Sequence, residues 1–146
     1  MTPSSPQLAA IKSALFLACL IPAFLLWRGF ELDTLGANPI ETVTRSLGEW
    51  TLRFLLITLT VTPLRKYTGW HWLIRLRRML GLFTFAYGLS HLLTYVWLDQ
   101  FFDWEAIAKD IIKRPFITVG FAALMLMLPL AVTSSNFAIR KLGGRR

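Results

Sequence analysis

Four apolar stretches stand out along the chain: Ile11 to Phe30, Trp50 to Pro63, Leu80 to Leu98, and Phe116 to about Ile139. Runs this apolar have little to turn toward water, so the pattern predicts membrane helices. The first, third and fourth reach or approach the roughly 20 residues that cross a hydrocarbon layer of about 30 Å. The second is short. Asn38 in a capping position, Pro39 in the first turn and Glu41 at the capping-box position predict that its helix begins well before the apolar run does. Gly48 offers the alternative of a break into an interfacial helix and a short span, with Arg53 snorkelling outward or pairing with Glu49 one turn away. The expected fold is all-α: an integral membrane bundle of four transmembrane helices, forming a single domain over 1–146.

Composition agrees, since 55% hydrophobic residues and a mean hydropathy of +0.53 exceed what a soluble core of this size requires. Charge then sets the orientation. Lys12, Arg65, Lys66, Arg75, Arg77, Arg78, Arg140, Lys141, Arg145 and Arg146 fall on one side of the spans with no acidic residue among them. All acidic residues (Glu31, Asp33, Glu41, Glu49, Asp99, Asp103, Glu105, Asp110) fall in the two opposite connections, with Arg28, Arg45, Lys109, Lys113 and Arg114. Lys and Arg near span ends are retained in the cytoplasm. Both termini and the basic connection are therefore expected there, in a multi-pass membrane protein.

The net charge of +8 and pI near 10.4 come with no nucleic-acid recognition motif. Anionic lipid is the expected partner of this basic fringe, at about 1 kcal/mol per side chain near the surface, and no nucleic acid is expected. The length of the first apolar run, with no soluble domain behind a small-residue site, argues that it stays in the membrane. The only cysteine, Cys19, lies within it, which excludes an intrachain disulfide and leaves the thiol as lipid-facing or core filler.

An ionisable group inside a span is costly enough to be a functional candidate by default, and His91 is the one that qualifies. At about 100° per residue, Gly81, Thr84, Gly88, His91 and Tyr95 form one stripe. Two readings of that stripe stand: the glycines let a neighbouring helix approach, or they leave room for a flat macrocycle ligated by His91. The other ring nitrogen would then donate to Thr94, Ser90 or a backbone carbonyl of an adjacent helix. The only other histidine, His71, stands among Tyr67, Trp70 and Trp72 at the expected interface, about 30 Å of helical rise from His91. The segment Arg65 to Arg78 reads as a loop whose arginines either anchor the protein to lipid or meet a phosphate-bearing cofactor or acidic partner. Pro22, Pro63 and Pro129 read as kinks or helix ends. No nucleophile with a base, carboxylate pair or phosphate-cradling glycine loop is present in the sequence, so no catalytic residue is expected.

Several segments together resemble one family. They are Leu35-Gly36-Ala37-Asn38-Pro39, Leu59-Thr60-Val61-Thr62-Pro63-Leu64-Arg65, Ile74-Arg75-Leu76-Arg77-Arg78-Met79-Leu80-Gly81-Leu82, Leu89-Ser90-His91-Leu92-Leu93-Thr94-Tyr95, Lys113-Arg114-Pro115-Phe116-Ile117-Thr118-Val119-Gly120, and Thr133-Ser134-Ser135 with Arg140-Lys141-Leu142-Gly143. In order and spacing they resemble the haem-binding membrane subunits of the protein-methionine-sulfoxide reductase system, in the ferric-reductase-like transmembrane group.

The resemblance implies a b-type haem in the helical bundle, with His91 as an axial ligand of its iron. It implies electrons arriving from quinol or flavin on the cytoplasmic side and leaving to a periplasmic molybdenum-containing methionine sulfoxide reductase. Flavin mononucleotide (FMN) is associated with the family, without ligands assignable here. Family members continue past the Lys-Leu-Gly motif with about two further histidine-bearing spans, so the second axial ligand is expected outside this chain. The expected role is electron transfer, with substrate chemistry left to the partner. The alternative is a non-redox helical scaffold or assembly protein in which His91 bonds a neighbouring helix.

Overall fold

In the computed structural model, which describes residues 3–133, the regular elements among those residues are all helical. α1 (Ser5–Glu31) and α2 (Pro39–Thr68) are joined by a short turn. α2 begins where the capping residues put it: the Asn38 side chain accepts from the Glu41 N–H at 3.3 Å, and Pro39 occupies a position where its missing N–H is not needed. The helix then runs unbroken for 30 residues through Gly48, so the break does not occur. Pro63 lies inside it rather than ending it. It ends at Gly69, whose left-handed backbone (φ 72) returns its N–H to the Arg65 carbonyl, a conformation that a β-carbon would strain.

A 3-10 turn (His71–Leu73) leads directly into α3 (Ile74–Leu93). The expected loop from Arg65 to Arg78 is thus corrected: apart from Gly69 and Trp70 it is helical. Burial of Leu73, Leu76 and Leu80 explains this, because it carries the intervening arginines into the helix with them. α3 passes into a π segment (Thr94–Asp99), followed by α4 (Trp104–Lys113) and α5 (Pro115–Thr133). Asp103 caps α4, accepting from the N–H groups of Glu105 and Ala106 at 3.1 and 3.0 Å. The remainder of the fourth apolar run to Ile139, and Arg140, Lys141, Arg145 and Arg146, lie outside the described residues.

Three described stretches are long and apolar enough to cross a membrane: Ser5–Glu31, His71–Asp99 and Pro115–Val132. α2 has the length but not the composition. Glu41, Arg45, Glu49 and Arg53 recur every four residues and form a stripe, with Glu49 paired to Arg45 at 3.6 Å and to Arg53 at 3.3 Å. Arg53, expected to snorkel or to pair, pairs, and its guanidinium also lies 4.7 Å from the Trp50 ring centre.

The core forms among α1, α2 and α3. Leu47, Phe54 and Val61, seven residues apart, present one seam of α2 to Leu76, Leu80 and Tyr87 of α3, while Cys19 closes it from α1. Cys19 is 2% exposed, so it is core filler. Tyr87 fastens α1: its hydroxyl donates to the Cys19 carbonyl at 2.8 Å and accepts from the Ala23 N–H at 3.1 Å. That carbonyl and amide would otherwise bond each other. The hydroxyl is inserted into the helix ladder beside Pro22, where the ladder is already interrupted.

Candidate functional site

α2 and α3 run antiparallel, and the small residues of α3 decide how closely. A β-carbon built on Gly81 would lie 3.8 Å from Thr58 Cγ2. Thr84 is fully buried, its hydroxyl donating to the Leu80 carbonyl at 2.9 Å and lying 3.4 Å from the Thr58 hydroxyl. On Gly88 a β-carbon would meet Leu124 Cδ1 at 3.2 Å and Thr51 Cγ2 at 3.3 Å. The glycine face of α3 is therefore filled by α2 and α5, which is the helix-approach reading of the stripe.

At His91 the relation reverses, and the glycine belongs to α2. A β-carbon on Gly48 would lie 3.0 Å from Cε1, 3.2 Å from Nδ1 and 3.5 Å from Nε2 of the imidazole. The ring rests on bare α2 backbone. Its Nδ1 is 2.7 Å from the Thr44 carbonyl oxygen, one turn away on the same face. A carbonyl only accepts, so Nδ1 carries the proton and donates, and the lone pair is left on Nε2. The Thr44 hydroxyl is shielded and has no hydrogen-bond partner among the described residues. By contrast, the hydroxyls of Thr51, Thr58, Thr60 and Thr68 on the same helix all return to the carbonyl four residues back.

Of the sequence candidates, Gly81, Thr84, Gly88 and His91 meet α2, and the hydroxyl of Tyr95 reaches on to α4. Tyr95 lies in the π segment, and its hydroxyl donates to Asp110 at 3.1 Å. The acceptor for His91 is the adjacent-helix carbonyl; Thr94 instead donates to the carbonyls of Ser90 and His91. His71 is exposed at the far end of α3, beside the stacked rings of Trp70 and Trp72, so the two histidines are not brought together. Arg75 and Arg77 are exposed on the first turns of α3. Thr44 and Gly48 escaped sequence reasoning as site residues. Their only signal is a Thr and a Gly one turn apart, and its meaning comes from a ring 43 positions beyond Gly48.

The arrangement fits a haem better than a bare metal ion. Among the described residues no three His, Cys, Asp or Glu side chains gather to hold an ion. A haem iron, already chelated by its macrocycle, asks the protein only for axial donors, a role that an imidazole oriented through Nδ1, as ligating histidines usually are, would fit.

Comparison with known proteins follows the same line. The profile described as "Ferric reductase like transmembrane component" matches residues 47–145, which takes in Gly48 and His91. Three curated relatives carry the name "Protein-methionine-sulfoxide reductase heme-binding subunit MsrQ". The protein from Azospira oryzae is 66% identical over 99% of this chain and 62% of its own length. That from Herminiimonas arsenicoxydans is 56% identical over 99% of this chain and 66% of its own. The Caulobacter vibrioides protein is 49% identical over 97% of this chain and 67% of its own. The chain thus spans about two thirds of the length of these relatives. No solved structure matches it.

Proposed function

The chain belongs to the ferric reductase like transmembrane family, among its MsrQ haem-binding subunits, and from that premise we propose that it is the electron-carrying part of a methionine sulfoxide repair system. In this reading it passes electrons from quinol or flavin to a periplasmic molybdenum-containing reductase that restores oxidised methionine. The observation that supports this best is the half-buried His91 imidazole, whose Nδ1–H is committed to Thr44 and whose Nε2 keeps its electron pair.

A bound b-type haem supplies the one-electron ferric/ferrous couple. The chain's own part is ligation by His91 Nε2, fixation of the ring against α2, and exclusion of water by the apolar faces of α2 and α3. The second axial ligand is assigned outside these 146 residues, because His71 stands at the other end of α3. α1, α2, α3 with its π segment, and α5 make four crossings, with both termini in the cytoplasm. The exposed Arg75 and Arg77 then stand at the cytoplasmic end, where guanidinium groups suit an anionic donor such as the phosphate of FMN.

Substituting Ala for His91, in the protein extended by the remaining third of its relatives' length and loaded with haem, tests the ligand directly. Loss of the low-spin, six-coordinate absorption spectrum is expected. Its retention would return His91 to an interhelical hydrogen bond and the protein to the scaffold alternative.

A further inference from the structure

We infer that Thr44 and Gly48 of α2 are positioning residues that fix the tautomer of His91 and set its strength as an iron ligand. This rests on His91 being the ligand and adds how α2 governs it. The Thr44 carbonyl, one helical turn before Gly48, has two lone pairs, one for the helix's own amide and one for Nδ1–H. A hydrogen bond of 2.7 Å from Nδ1–H to that oxygen draws the proton away from the ring and leaves more electron density at Nε2. A stronger donor at Nε2 favours ferric iron over ferrous iron.

The bond depends on Gly48 having no side chain. With 3.0 to 3.5 Å between the ring atoms and the place of a β-carbon, a methyl group there pushes the imidazole outward by a few tenths of an ångström, enough to lengthen and bend a bond of 2.7 Å. The acceptor lies on that same helix face, so a ring lifted from Gly48 is also lifted from Thr44. The other described glycines do not share this relation. Gly120 has nothing within 4 Å of a built β-carbon, and Gly88, though nearly as crowded, meets only atoms of Leu124 and Thr51.

The tautomer is measurable without haem. The sequence has two histidines, so nitrogen-15 labelling of histidine gives two ring systems by NMR of the 146-residue chain in detergent, and His91→Ala identifies which is which. Wild type should show His91 protonated at Nδ1 alone. Gly48→Ala should move it to a mixture or to the Nε2–H form, Gly88→Ala should lower thermal stability with the tautomer unchanged, and Gly120→Ala should alter neither.

In the haem-loaded, extended protein, Gly48→Ala should favour the ferrous state about tenfold at fixed ambient potential, a rise of ~59 mV for a one-electron couple. An Nε2–H tautomer in wild type overturns the inference without any variant, as would Gly48→Ala matching Gly120→Ala in both measurements. A haem spectrum indifferent to His91→Ala would instead remove the ligand assignment while the tautomer result stood, so the two failures are distinct.

Discussion

Tyr87 shows how one atom joins two helices. Its hydroxyl stands between the Cys19 carbonyl and the Ala23 amide, donating to the first and accepting from the second. Tyr87→Phe keeps the ring against Phe54, whose centre is 5.0 Å away, and removes only the bridge. The variant should lose about 0.5–1.5 kcal/mol, the usual net worth of one hydrogen bond, because the freed carbonyl and amide can bond each other, with α1 loosening first. Denaturant titration of helical circular dichroism, alongside cysteine labelling of Cys19, would measure both. This bridge was not legible in the sequence, and of the His91 bond only the kind of acceptor was, an adjacent-helix carbonyl, because each joins residues more than 45 positions apart and depends on which helix faces are turned inward. His91 itself was legible, because a histidine within an apolar run is costly wherever the run packs.

At the level of elements, the start of α2 was readable and its continuity through Gly48 and Pro63 to Gly69 was not. Asn38 and Pro39 fix the start of α2 through local hydrogen bonding and a preset φ, and these act the same way in any tertiary setting. Asn38→Ala should cost about 1 kcal/mol and speed hydrogen exchange at the Glu41 amide, while Asn38→Asp should hold both near wild type. By contrast, the passage from Arg65 to Arg78 looked like a loop because charge was weighed over packing, although Leu73, Leu76 and Leu80 carry that segment into the core. The π segment was also hidden. Six residues from Thr94 to Asp99 are wound more loosely than α-helix, and the Tyr95 hydroxyl there bonds Asp110 of α4, a partner that a stripe drawn at about 100° per residue does not reveal. Tyr95→Phe should accordingly weaken the hold of α4 on α3 and leave the haem spectrum alone, which protease sensitivity near Asp103 and absorption would report.

For the whole molecule, the orientation turns on α2, the one long helix too charged to count as a membrane span by composition. Its packing supplies what composition does not. Gly48 faces His91, Thr51 faces Gly88, and Thr58 faces both Thr84 and Gly81, so eleven residues of α2, a rise of about 15 Å, lie antiparallel against the middle and C-terminal end of α3. If α3 crosses the bilayer, α2 crosses beside it. An α2 lying flat on the surface would also leave Arg75, Arg77 and Arg78 on the same side as Glu31 and Asp33, undoing the separation of charge that the connections otherwise keep. The stripe from Glu41 to Arg53 is tolerable in a crossing helix because its charges neutralise one another through Glu49 and extend from the outer end inward. Reporter fusions after Arg78 should therefore behave as cytoplasmic, and fusions near Asn38 and Asp103 as periplasmic. A fusion after Arg146, beyond the described residues, should be cytoplasmic as well. A periplasmic signal after Arg78, with Asn38 also periplasmic, would mean that α2 does not cross, and the four-crossing arrangement would give way to three.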